Sequence, residues 1–364
     1  MIWVLSATIS ISTILVADEM YRARFPAFWF GVFCCFALLA GCSSPAPEII
    51  EFNGESMGTT WSVKVSAMPA GLEPGQVADH IQAALDGVNQ SMSTYLATSE
   101  LSRFNQAPSG TRMQVSPALF DVMRKSVEVW RLSQGTFDVT VGPLVNLWGF
   151  GPQGRPSVVP DEAAQRQAWA RVGTDALTLH TETLELEKHK DLYVDLSAIA
   201  KGYGVDRVAE ALENLGIRRY LVEVGGEMRA GDPKSPDEPW RVAVEKPWTG
   251  ARTVERVFAV SRLAMATSGD YRNYFEVNGK RYSHTIDPRT GRPIDHALAS
   301  ATVIAPTCAE ADAWATAMMV LGPDQALAVA RANHLAVYLL VKVGDGFEAR
   351  SSAAFAMYLK PVLQ

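Results

Sequence analysis

The chain has 364 residues, 48% of them apolar, which is enough for a sizeable core in one large domain or two ordinary ones. A net charge of −6 and a pI near 5.6 show no basic excess and argue against nucleic acid as a partner. The acidity is dispersed and implies little beyond solubility.

The first fifty residues read as an export segment. Residues 1–19 contain Asp18 and Glu19 and lack a basic flank, so Met20 is the expected start. From there Tyr21-Arg22-Ala23-Arg24 precedes an apolar run from Ala27 to Leu38, followed by Leu39-Ala40-Gly41-Cys42. That order of basic, apolar and small residues makes residues 1–41 a signal peptide. The apolar run is short for a membrane span, although an N-terminal anchor is the competing reading. The Leu-Ala-Gly-Cys ending resembles a bacterial lipobox, which implies cleavage before Cys42 and lipid on its thiol. Cys34 and Cys35 would leave with the leader, so only Cys308 remains and no intramolecular disulfide is expected. Residues 42–51 then form a tether and residues 52–364 one domain, with no low-complexity linker or repeat to divide it.

Within that domain Trp61, Val63 and Val65 alternate with polar residues as a half-buried strand. Val77, Ile81, Leu85 and Val88 keep helical spacing, and Ser116-Pro117 opens a helix that Gly135 closes. The stretch at Val194-Asp195 reads as a strand giving way to a helix after Lys201, with Val205, Val208 and Leu212 before Gly216. Further strands are expected at 220–224, at 240–244, on both sides of the Asn278-Gly279 turn, at 337–341 and at 354–359. Thr307 caps the last strong helix, Glu310 completes a capping box, and Gly322-Pro323 ends it. Hairpins mixed with helices argue α+β with substantial antiparallel pairing. There is no Gly-x-Gly-x-x-Gly after a strand and no phosphate loop.

Several polar positions interrupt this pattern. On the Thr307 helix Asp312 and Thr316 are i and i+4, two hard oxygens on one face near a positive helix start. They suit hydrated Mg²⁺ and a phosphate, and they equally suit a capping or packing pair. Tyr95 follows Ser91-Met92-Ser93-Thr94 and is either a stacking platform for a flat ring or a surface tyrosine. Asp138 lies in a glycine-flanked stretch, 135–143, where backbone can approach a ligand or simply turn. Lys201, near Asp195, is placed to hold a phosphate or to make a surface ion pair. Asp270 sits in a small polar run, 266–271. His284, Asp287 and Arg289 crowd a turn, where His284 is a general base or merely an exposed side chain. The six histidines form no close pair, so any metal would be held by oxygen rather than by soft zinc ligands.

Taken together, ESMGTTW from Glu55, MSTYLATSELSRFN, GTFDVTVGPLVNLWGFGP, VDLSAIAKGYGVD, LVEVGGEMRAG, ATSGDYRNYF, HTIDPRTGRPI and the Thr307 helix resemble the ApbE family, the bacterial FAD:protein FMN transferases. The resemblance runs from about Phe52 to the end of the chain. It implies an α+β architecture related to the T-fold, with mixed and antiparallel sheets, packed helices and FAD held within a single catalytic unit. It implies that Met57 and Tyr95 flank the nucleotide, that Phe137, Asp138 and Val139 line the cleft, that Asp195 and Lys201 contact nucleotide and phosphates, and that Ile286 lies against the ligand. Mg²⁺ would be held by the Ala198 carbonyl, Asp312 and Thr316, with backbone near Ala315 assisting. The implied reaction moves FMN from FAD to a threonine or serine hydroxyl of an exported or membrane protein and releases AMP, with His284 as base and Asp270 or Asp287 as rivals. Subunits of sodium-pumping NADH:quinone reductase and of the related Rnf complex are the family's expected acceptors. A periplasmic, lipid-anchored enzyme at the inner membrane would follow. Two other classes stay open at this point: an FAD pyrophosphatase giving FMN and AMP, and a flavin-binding lipoprotein without catalysis.

Overall fold

The computed structural model describes residues 48–151, 159–247, 253–270 and 273–359. The leader, Cys42 and the start of the tether lie outside the described residues. A hairpin of β1 (Ile50–Ser56) and β2 (Thr59–Val65) comes first, closed by Met57-Gly58 with φ of 54° and 72°. Helix α1 (Pro74–Met92) buries Val77, Ile81, Leu85 and Val88, the spacing that the sequence displays. Then come α2 (Glu100–Gln106), β3 (Arg112–Gln114), α3 (Pro117–Leu132), α4 (Gly142–Leu147), α5 (Glu162–Trp169), β4 (Leu177–His180) and β5 (Glu185–Lys188). Ser116 caps α3 by accepting the Leu119 N–H at 3.2 Å.

Helix α6 (Ala200–Asn214) leads into β6 (Tyr220–Val224), β7 (Glu227–Ala230), β8 (Trp240–Glu245), β9 (Val254–Val260) and β10 (Leu263–Gly269). The hairpin of β11 (Tyr274–Val277) and β12 (Lys280–Ser283) turns at Asn278-Gly279, both with positive φ as such a turn requires. A short pair, β13 (Ile286–Asp287) and β14 (Arg292–Pro293), precedes β15 (Leu298–Ala305), α7 (Cys308–Leu321), α8 (Pro323–Ala332), β16 (Ala336–Val343) and β17 (Gly346–Ser351).

Eight strands form one sheet in the order β1-β2-β6-β7-β10-β15-β16-β17, and every pairing is antiparallel. Helices α1, α6 and α7 cover one face, where Val222, Ala266, Val303, Val337 and Leu339 are buried. The β8–β9 hairpin covers the other, where Trp240, Phe258, Met265, Tyr338 and Leu340 cluster. With both faces covered, β15 is buried along its whole length. The α+β class and antiparallel pairing expected from the sequence are those observed.

Three local expectations change. Ala353–Leu359 is a 3₁₀ helix rather than a strand, because Phe355 turns inward between Phe258 and Tyr338, at 5.3 and 5.4 Å between ring centroids. Val194-Asp195 is irregular; the Asn105 side chain takes both backbone groups of Val194 at 2.8 Å, and the Asp195 N–H donates to the Val139 carbonyl. At the start of α7 Thr307 accepts the Glu310 N–H as expected, but the first amides are not free for a phosphate. Asp206 of α6 takes them, accepting the N–H groups of Cys308 and Ala309 at 2.9 Å each while pairing with Arg229 at 2.9 Å.

Asp206 thus ties α7 to α6 and β7 through one buried carboxylate. Asp206→Ala is expected to lower unfolding stability by about 3 kcal/mol, the low end for breaking a buried ion pair from one side. Glu213, 3.5 Å from Arg229, keeps the loss there. Denaturant titration measures it, and a loss below about 1 kcal/mol would show that α7 is anchored by other means.

Candidate functional site

Helix α7 is apolar around its whole circumference and buried except at Glu310 and Thr316. Asp312 is therefore a carboxylate in an apolar wall, 2% exposed, and needs partners. Its Oδ2 accepts the Gly202 N–H at 3.0 Å. That bond requires the backbones of α6 and α7 to touch: a Cβ on Gly202 would lie 2.3 Å from the Cys308 carbonyl oxygen. Lys201, one residue earlier, is thereby delivered to the same place, where its ammonium donates to Glu227 at the start of β7.

Two carboxylates and one ammonium thus share a buried cluster. Burial raises the pKa of Asp312, opposed by Lys201 and the Gly202 amide. Burial, with Asp312 adding to it, pushes Glu227 up to about 8. Burial works against the Lys201 charge, but Asp312 and Glu227 more than offset it and hold the ammonium well above its ordinary value. Glu227 Oε2 is buried with no hydrogen-bond partner among the described residues. Thr316 carries its hydroxyl to the edge of the cluster, 3.3 Å from that of Ser268 on β10. Ala315 is buried beside it in α7, and Ala198 lies in the turn that leads into α6.

Lys201 also lines a cavity of about 530 Å³ with Met57, Met92, Tyr95, Ser197 and Ala200. Met57, Tyr95 and Lys201, named separately in the sequence, are thus brought together. Tyr95 forms the lip, 72% exposed, on a turn in which Ser93 Oγ accepts the N–H groups of Tyr95 and Leu96 at 3.1 and 3.3 Å. Gly204 on α6 leaves space for Met57, whose sulfur would be 2.9 Å from an added Cβ. Asp195 folds back on its own loop, accepting the Ser197 N–H at 2.9 Å and the Ser197 hydroxyl at 2.5 Å.

Other named residues lie elsewhere. Phe137 and Val139 are buried in the core. The Asp138 carboxylate is taken by Thr140 (2.8 Å to N–H, 2.5 Å to Oγ1) and Thr174 (3.2 Å to N–H, 2.8 Å to Oγ1). Ile286 packs with Leu144, Trp148 and Phe275. Asp287 is engaged by the Arg289 guanidinium at 2.8 and 3.0 Å and by its N–H at 2.9 Å. Asp270 stands in a different cavity, 3.5 Å from Arg281.

His284 is half-buried at the end of β12, edge-on to Phe150. Its Nδ1 lies 3.0 Å from the Asn273 carbonyl, which can only accept, so Nδ1 carries the proton and Nε2 keeps a lone pair. Burial lowers its pKa, and the charges of Lys201 and Arg281 lower it further. The imidazole is therefore neutral at neutral pH.

Glu227, Ser268 and Asp206 carry weight that the sequence did not reveal. The available signal for Glu227 was the Gly225-Gly226 turn before it: Gly225 has φ of 60°, and an added Cβ would lie 3.3 Å from Lys201 Cδ. As a donor set, a carboxylate, a hydroxyl and a carbonyl beside an orphaned carboxylate oxygen suit a hard divalent cation. No group of three His, Cys, Asp or Glu residues among the described residues has metal-binding geometry, so such a cation would depend on neutral oxygens and on its phosphate partner.

A cavity of about 530 Å³ bounded by a lysine that also belongs to a cluster of hard oxygens, in an α+β protein, suits a nucleotide and its phosphates. Residues 57–339 match the model of the ApbE family. The FAD:protein FMN transferase of Vibrio cholerae is 45% identical over 331 residues, 91% of this chain and 98% of that protein. The FAD:protein FMN transferase of Escherichia coli is 42% identical over 317 residues, 86% and 90% of the two chains. The solved flavin transferase ApbE from Vibrio cholerae superposes with a TM-score of 0.80 at 43% identity, covering 86% of this chain and 99% of that one. The chain belongs to the ApbE family.

The electrostatics of the cluster set a pH dependence. Between the ordinary carboxylate value of 4.5 and the folded value of about 8, the folded protein holds a Glu227 proton that the unfolded chain has released. Glu227 therefore costs stability progressively as pH rises through that window, while Lys201 stays charged on both sides of it. In chelator, thermal stability is expected to fall from pH 5 to pH 8.5 and to fall less steeply in Glu227→Gln; equal slopes in the two proteins would remove this assignment.

Proposed function

We propose that this chain transfers FMN from FAD to a hydroxyl of a target protein and releases AMP. One observation carries the reading: Lys201 belongs both to the ring-sized cavity and to the Asp312–Glu227 cluster, so one side chain links the flavin to the phosphates. FAD, the substrate, would lie with its flat ring between Met57 and Tyr95 and its pyrophosphate at Lys201. Mg²⁺, held by Asp312, Thr316 and the Ala198 carbonyl with backbone near Ala315, would neutralise charge on the bridging and leaving oxygens.

The acceptor hydroxyl attacks the phosphorus of the FMN half. The bond from that phosphorus to the bridging oxygen breaks, and AMP departs with that oxygen. The hydroxyl proton passes to His284 Nε2, which keeps its lone pair because Nδ1 faces the Asn273 carbonyl. Asp287, paired with Arg289, and Asp270, beside Arg281, are less available rivals. The product is an FMN phosphoester, and the enzyme retains no covalent flavin.

The acceptor is a threonine or serine in a flavinylation motif, on a subunit of the NADH:quinone reductase or Rnf type. The Leu39-Ala40-Gly41-Cys42 ending supports lipidation at Cys42 and a place on the periplasmic side of the inner membrane, where such subunits lie.

Incubation with FAD, Mg²⁺ and the periplasmic domain of a flavinylated NADH:quinone reductase subunit should give a fluorescent protein band and AMP. Free FMN with AMP would mean hydrolysis instead, and unchanged FAD would mean binding alone. His284→Ala is expected to slow transfer by about 100- to 10,000-fold. In the unsubstituted protein the rate should rise with pH along a limb lying below the ordinary histidine value of 6.5 and then level off. Asp312→Ala should lose transfer at every Mg²⁺ concentration; normal transfer by that variant would exclude Asp312 as a ligand.

A further inference from the structure

A second cavity, of about 560 Å³, lies between the end of β10, the β11–β12 hairpin and the β16–β17 turn. It shares no lining residue with the flavin cavity. We propose that it is the docking groove for the acceptor polypeptide, the segment flanking the hydroxyl to be modified; this rests on the transfer reaction proposed above.

Position is the first argument. Ser268, whose hydroxyl is 3.3 Å from that of Thr316, lies one residue before the end of β10, and Asp270, just past that end, is in the cavity wall. Two strand residues span about 7 Å, so the groove begins that far from the cation-bearing face of α7. On its other side Arg281 and Ser283 line the groove, while the alternate residues Tyr282 and His284 turn to the opposite face, toward Trp148 and Phe150. The groove therefore ends one residue from the candidate base. A chain lying in it would have to round the hairpin's end to bring its hydroxyl to His284.

Chemistry is the second. A small anion in this groove would meet Asp270 and Asp345, and a small cation would meet Arg281 and Lys342. A polypeptide, with alternating N–H and C=O groups and side chains of both signs, is served by the mixture. The rim is also built as binding rims are: β15 carries a register shift between Leu298 and Ser300, at the end that faces the groove. Among the described residues the sheet ends at β17, whose first residues, Gly346 and Phe347, line the groove, so an extended chain entering there can continue along a strand edge that no described strand pairs.

Two variants of the full-length chain test this, with the reductase domain named above as acceptor. Ala297→Trp fills the groove from an exposed wall position, and Lys342→Glu with Asp345→Lys reverses its rim charges. The KM for the acceptor should rise by about tenfold or more in each, while the KM for FAD and FAD binding by fluorescence titration stay at the unsubstituted values. An acceptor KM within about twofold of the unsubstituted value in both variants would overturn the proposal. So would a matching loss of FAD binding, which would make the cavity part of the flavin site. Absence of transfer by the unsubstituted chain would instead sink the transferase reading, and the groove with it.

Discussion

The site depends on one backbone contact, the approach of α6 to α7 at Gly202. A methyl group there would collide with the Cys308 carbonyl, and without the approach Asp312 would lose its amide partner in an otherwise apolar helix. The same turn of α6 does two further jobs. Lys201 arrives beside Asp312 because it precedes Gly202, and Asp206 caps α7 because it follows Gly202 by four residues on the same face. Four tasks (close packing, capping, carboxylate satisfaction and lysine placement) are compressed into six residues, so few substitutions here are silent.

Charge follows from that packing. Burying Asp312 and Glu227 together is unfavourable, and Lys201 compensates only one of them. The excess shows as raised carboxylate pKa values and as a Glu227 oxygen with no partner. On the reading proposed above, a hard divalent cation would relieve the excess, and a pyrophosphate would balance the cation together with Lys201. Cation and nucleotide would thereby be coupled through the cluster without contact between the cation and Glu227.

Elements with their own periodicity were legible in the sequence. β2, α1 and the Asn278-Gly279 hairpin form from local pattern and turn chemistry, and the structure repeats them. What failed was set by distant partners. Val194 cannot read as irregular when the side chain that occupies its backbone, Asn105, lies 89 residues away. Phe355 has no strand partner because Phe258 and Tyr338 offer it an aromatic pocket. Glu227 gains meaning only beside Lys201, 26 residues earlier on α6. Motif resemblance placed Met57, Tyr95 and Lys201 around one cavity, yet it gave no sign that the Asp138 carboxylate is taken up by Thr140 and Thr174.

The fold also divides the labour of a two-substrate reaction. Lys201, Asp312 and Thr316, which would hold nucleotide and cation, belong to α6 and α7, helices packed on the sheet. His284, the proposed base, directly follows the β11–β12 hairpin, whose own entry residue Asn273 fixes its tautomer. That hairpin is also a wall of the second cavity, so the base and whatever fills that cavity are held by one element. A protein hydroxyl carried along that wall and around the hairpin's end would meet His284 at a high effective concentration, while water would reach it from solvent. Preference for transfer over hydrolysis would then rest on how well the hairpin holds a polypeptide, with no need for the nucleotide site to tell a serine or threonine hydroxyl from water.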